Sequence, residues 1–178
     1  MDWTEASMST ALRGEIRLAL EVPAWAWRFY LRHLPLVVGL SLVASLQRLV
    51  VVEWGDHVPG ALAVASEVLV MGVRLLLLVL VWRLAMRDTR WRFDNLSAFA
   101  RSHWRSLVIQ GVLLSVAFMV FDVVAENVVA GFLPADSRST YLAVLLFVKN
   151  PTVIAFTFIW WVGLARQMLR EVPAPATT

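Results

Sequence analysis

Four apolar runs separated by short polar stretches dominate the chain, at about residues 35–54, 61–86, 106–132 and 142–169. Each holds the roughly 20 apolar residues that carry a helix across a bilayer. The pattern predicts an all-α integral membrane protein, a four-span transmembrane helical bundle of two hairpins. Pro35 falls in the first turn of the first run, where a missing N–H is harmless. The second run is longer than one bilayer thickness and is expected to tilt or emerge. Lys149, Asn150 and Pro151 interrupt the fourth. Either one long helix bends at Pro151 and frees the carbonyl of Phe147, or Asn150 caps a fresh helix with Pro151 in its first turn. In the second case Tyr141 to Val148 form a short outer or re-entrant piece.

The intervening stretches predict amphipathic helices lying in the membrane interface. In residues 1–33, Leu12, Ile16, Ala19 and Leu20 recur at spacings of three and four, which predicts a short helix ending at Pro23. The first 22 residues lack the uninterrupted apolar core of a cleaved signal peptide, so this segment is expected to remain. Trp25, Trp27, Phe29 and Tyr30 interleave with Arg28, Arg32 and His33, a composition suited to headgroup depth. A second interfacial helix is predicted over 94–105, capped by Asp94 or Asn95, with Leu96, Phe99, Ala100, His103 and Trp104 on one face. Phe29/His33 and Phe99/His103 repeat one spacing ahead of the first and third runs, a short echo consistent with two similar halves. The Pro/Ala/Thr tail at 171–178 is expected to be disordered.

Composition narrows the class. The chain is 60% hydrophobic with mean hydropathy +0.70, against about 45–50% apolar residues in a soluble domain. Its 178 residues leave no room for a folded domain beside four spans. The absence of cysteine excludes disulfides, thiolate metal sites and cysteine nucleophiles. Fifteen of the sixteen basic residues are arginine, as GC-rich bacterial coding would give. Four arginines precede the first run, six run from Arg83 to Arg105, and Arg166 and Arg170 mark the end of the fourth run, whereas Arg138 alone lies on the opposite side. The positive-inside rule then places both termini and the basic middle segment in the cytoplasm, in a bacterial inner membrane. Arg28, Arg32, Arg87, Arg90, Arg92, Arg101 and Arg105 are the expected contacts for anionic lipid headgroups. Arginines that flank membrane segments do not point to nucleic acid.

Ionisable residues inside the runs are the candidate chemistry, since each costs at least about 2.5 kcal/mol near the centre of a bilayer. They are Arg48, Glu67, Arg74, Asp122, Glu126 and Lys149, with the amides Asn127 and Asn150 and the helix break at Pro151. At 1.5 Å per residue, Arg48, Glu67, Glu126 and Lys149 come out roughly 7 to 11 Å below the outer surface, Asp122 about 14 Å and Arg74 about 20 Å. Glu67 and Arg74 share a helix face, as do Asp122 and Glu126. The expected pairings are Arg74 with Asp122, and Lys149 or Arg48 with Glu126 or Glu67.

Enzyme chemistry finds little support. No Ser/His/Asp set, paired exposed carboxylates, glycine-rich phosphate loop or His/Glu metal helix is present, and no cofactor is expected. Glu53, Asp56 and His57 are three metal-ligand types in one loop without a second cluster, and the loop reads as a turn. The expected function is therefore non-enzymatic: an accessory, scaffold or assembly subunit that binds a membrane partner, or itself, through its polar layer and small-residue faces such as Gly39, Ser41, Ser45, Gly111 and Ser115. The alternatives are a small homo-oligomeric transporter or channel and a lipid-headgroup-binding protein.

Overall fold

The computed structural model describes residues 3–54 and 59–170, nearly all of them helical. The elements are α1 (Trp3–Arg32), α2 (Leu34–Trp54), α3 (Gly60–Met86), α4 (Asp94–Ser102) and α5 (Trp104–Phe118). An eleven-residue π-helix, π1 (Met119–Val129), continues α5. Then follow α6 (Ala135–Lys149), the short π-helix π2 (Asn150–Ile154) and α7 (Ala155–Leu169). No strand occurs among the described residues; one isolated bridge joins Trp91 to Arg170.

Four helical stretches are long and apolar enough to cross a membrane: Leu34–Val51, Gly60–Met86, Trp104–Val129 and Thr140–Leu169. They lie within a few residues of the four apolar runs. The expected disordered tail and the loop residues Asp56 and His57 fall outside the described residues.

Helix α1 does not end at Pro23 but runs through it to Arg32. The backbone hydrogen bond lost at the proline is offset by packing, because Ala19, Val22, Ala26, Phe29 and Tyr30 bury one continuous face of α1. That face lies along α7. A methyl group at Gly163 would come within 2.7 Å of the Trp25 ring, so the glycine is what lets the indole seat on α7. Arg166 stacks its guanidinium 5.4 Å from the same ring.

His33 and His103 both mark junctions where one helix hands over to the next. His33 separates α1 from α2 and His103 separates α4 from α5. Each histidine stacks on the phenylalanine four residues earlier, with ring centroids 4.3 Å apart at Phe29/His33 and 4.9 Å at Phe99/His103. The spacing echo in the sequence thus corresponds to a repeated local structure.

Helix α4 is shorter than the predicted 94–105 segment, because the backbone leaves helical geometry at His103 (φ −122°, ψ 31°). Asp94 lies within its first turn, where no side chain caps the helix. The core that holds the bundle together is drawn from α1, α2, α3 and α7, with Phe29, Val37, Leu77, Val81, Ile159 and Trp160 at its centre.

Candidate functional site

The fourth apolar stretch is continuous from Ala135 to Leu169, and Pro151 is absorbed into the wide turn of π2. Asn150 has helical backbone angles (φ −60°, ψ −55°) and does not cap a new helix. The break is resolved by side chains that replace the missing N–H. Pro151 cannot donate to Phe147, and that carbonyl instead accepts the Ser45 hydroxyl at 2.7 Å. Asn150 Nδ2 donates to Leu146 O at 3.2 Å, and Thr152 Oγ1 donates to Val148 O at 2.7 Å. The carbonyl of Pro151 accepts the Tyr30 hydroxyl at 3.0 Å. Helices α1 and α2 therefore both fasten onto the proline turn.

One residue before that turn, Lys149 is the centre of the polar layer. Its ammonium reaches the Asp122 carboxylate and also Glu126, at 2.5 Å to the latter. The lysine side chain is 9% exposed, whereas Asp122 is 45% and Glu126 28% exposed. The two acids share one face as their spacing requires. Two carboxylates against one ammonium leave the cluster one negative charge in excess. The Tyr141 hydroxyl donates to the carbonyl of Ala125 at 3.0 Å, which joins π1 to α6 beside the cluster.

Arg74 does not meet Asp122, contrary to the expected pairing. Lys149 reaches both acids because α6 packs directly against π1, whereas α3, which carries Arg74, packs chiefly on α2 and α7. Arg74 Nη2 donates to Asn150 Oδ1 at 3.3 Å, and its Nε is buried without a partner. Glu67 accepts from Gln47 Nε2 at 3.2 Å. Asn127 is exposed. The side chains of Arg48 and Glu53 lie outside the described residues.

A polar cavity of about 230 Å³ opens between α2, α3 and the α6–π2 junction. Glu67, Arg74, Lys149 and Asn150 line it together with Gln47. Asp122 and Glu126 do not line it; a smaller cavity of about 90 Å³ adjoins Asp122 and Lys149. Among the described residues no group of three or more His, Asp or Glu is placed to hold a metal.

A second polar cluster, near the basic end, was not visible in the sequence. Gln110 is fully buried; it donates to Gln167 at 3.2 Å and accepts from Trp160 Nε1 at 3.4 Å. Gln167 passes the chain on to the carbonyl of Leu18 at 2.9 Å. Glu15 accepts from the Ser106 backbone N–H at 3.2 Å and contacts His103 Nδ1 at 2.9 Å, so an acid from α1 caps the N-terminus of α5. A lone glutamine in an apolar run was the available signal for Gln110; the role of Glu15 depends on a contact 91 residues away in sequence.

The seven arginines expected at the headgroups, Arg28, Arg32, Arg87, Arg90, Arg92, Arg101 and Arg105, are all exposed. The small-residue faces divide. Ser41 and Ser45 are buried inside the chain, whereas Gly111 and Ser115 are exposed on α5.

No protein-family model, curated protein or solved structure matches this chain.

Proposed function

We propose that the chain is a non-enzymatic multi-pass protein of a bacterial cytoplasmic membrane with both termini inside. It acts as an accessory, scaffold or assembly subunit that docks a membrane partner through the third long helix. One observation carries this reading: the half-exposed, charge-unbalanced acid pair Asp122/Glu126 sits on the least covered of the four apolar stretches. Only 6% of that stretch is buried, against 24%, 17% and 33% of the other three. An excess carboxylate facing hydrocarbon is costly, and a partner helix that brings a cation or hydrogen-bond donor removes the cost. Gly111 and Ser115 lie on the same helix, where small side chains allow close approach.

The experiment is a gentle-detergent pull-down of the tagged protein from its native membrane, with mass and composition read by native mass spectrometry. A stoichiometric second membrane protein, lost in Asp122→Asn/Glu126→Gln, is the expected result. A pure homo-oligomer refutes partner docking and favours the second reading, a small oligomeric transporter or channel, for which the polar cavity beside Lys149 is the supporting feature. Lipid-headgroup binding, the third reading, rests on the exposed arginines.

A further inference from the structure

We infer that the cavity between α2, α3 and the α6–π2 junction is a binding site for a small zwitterion of the ω-amino acid class, with its carboxylate on Arg74 and its ammonium at Glu67. The inference is independent of partner docking, since neither acid of the Asp122/Glu126 pair lines the cavity.

Charge supplies the first argument. Arg74 is always cationic, yet no carboxylate lies within ion-pair distance of it among the described residues. Asp122, the acid that the sequence offered as its counter-ion, is taken by Lys149 together with Glu126. Of its donors, Nη2 is used by Asn150 and Nε is buried unpartnered. A guanidinium with unspent donors and no counter-ion in an apolar bundle favours a carboxylate, which it grips in bidentate fashion. Lys149, the other cation on the wall, is already paired with Asp122 and Glu126, so Arg74 suits a monoanion.

The arrangement of the wall supplies the second. Glu67, Val70 and Arg74 follow one another at spacings of three and four along α3, and all three line the cavity. The acid and the base are therefore two turns apart, about 10 Å along the axis, with a buried valine between them. Ala44, Leu146 and Ile154 complete the apolar middle. Glu67 is exposed and lies at the outer rim, within reach of the Gln47 amide. A plain carboxylate would leave that acid unsatisfied, and a plain amine would leave Arg74 so. A molecule with a carboxylate, an apolar stem and an ammonium matches all three zones in order.

The probes are 6-aminohexanoate, hexanoate and hexylamine, titrated against the full chain in nanodiscs with thermal unfolding and calorimetry as readouts. Saturable binding of 6-aminohexanoate is expected, with hexanoate weaker and hexylamine weakest. Glu67→Gln, at an exposed position that leaves the bundle intact, should weaken 6-aminohexanoate about fivefold and leave hexanoate unchanged or tighter. Arg74→Gln should abolish binding of both carboxylates; should that variant not fold, the Glu67→Gln comparison decides by itself. No saturable binding of 6-aminohexanoate, hexylamine binding as well as the zwitterion, or indifference to Glu67→Gln would each overturn the assignment.

Discussion

The hydroxyl of Ser45 on α2 donates to the carbonyl of Phe147 on α6 at 2.7 Å, and this is the carbonyl that Pro151 leaves without a helical donor. A serine one helix away thus completes the backbone of the fourth span. Replacing Ser45 by Ala should leave that part-buried carbonyl without its donor and cost about 1 kcal/mol. Thermal unfolding in nanodiscs measures it. An unchanged midpoint would mean that the bond contributes nothing to the turn.

Tyr30 holds the other side of the same turn through the carbonyl of Pro151. Burial pushes its phenol above the usual value near 10. The folded state therefore holds this proton more tightly than the unfolded state, so the contribution to stability is complete below the unfolded value and falls as pH rises beyond it. Tyr30→Phe should lose about 1 kcal/mol at neutral pH and should flatten the alkaline decline above about pH 10. Unfolding midpoints measured across that range in both proteins test the sign.

Lys149 stands between two acids, and its removal should be among the most damaging single changes. Lys149→Met leaves two partly exposed carboxylates in an apolar setting without a partner and should cost about 3 kcal/mol. Adding Asp122→Asn and Glu126→Gln to the same chain should recover most of that loss, because the neutral amides need no counter-ion. A triple variant no more stable than the single one would show that the lysine acts through packing rather than charge.

Glu15 joins α1 to the start of α5. Glu15→Ala removes the acceptor for the Ser106 N–H and the contact to His103, and should cost about 0.5–2 kcal/mol. Glu15→Gln keeps an acceptor without the charge and should fall between. Amide hydrogen exchange at residues 104–107 should rise in the same order as the losses.

The exposed arginines of the basic segment carry the lipid prediction. Replacing Arg87, Arg90 and Arg92 by Gln should weaken association with anionic over zwitterionic vesicles, at about 1 kcal/mol per charge near the surface. Equal binding of wild type and variant would remove the contact.

The apolar runs alone located the four long helices, because twenty or so consecutive apolar residues are a dense signal that tertiary context does not need to complete. The shared faces of Glu67/Arg74 and Asp122/Glu126 were equally legible, since helical spacing sets them. The freed carbonyl of Phe147 was one of the two outcomes that Pro151 allows by backbone chemistry. Partner choice did not follow: by residue count Lys149 lies above Asp122 and Arg74 below it, and only the rotation of α3 and of the fourth helix decides which faces Asp122. The passage of α1 through Pro23 was hidden for a related reason. Local propensity ends the helix there, and the buried face against α7 carries it on. The π-helix of Met119–Val129 left no mark in the spacing, because its apolar residues surround the Asp122/Glu126 face and a four-residue spacing suits an α-helix equally.

The docking face is tested most directly by a photo-crosslinking residue at Val123, exposed beside Asp122 on the third span, compared with one at Val68 on the exposed face of α3, in native membranes. One discrete adduct with a different membrane protein is expected from Val123, absent from Val68 and lost with Asp122→Asn/Glu126→Gln. Adducts of this chain with itself alone, or equal labelling from both positions, would contradict it.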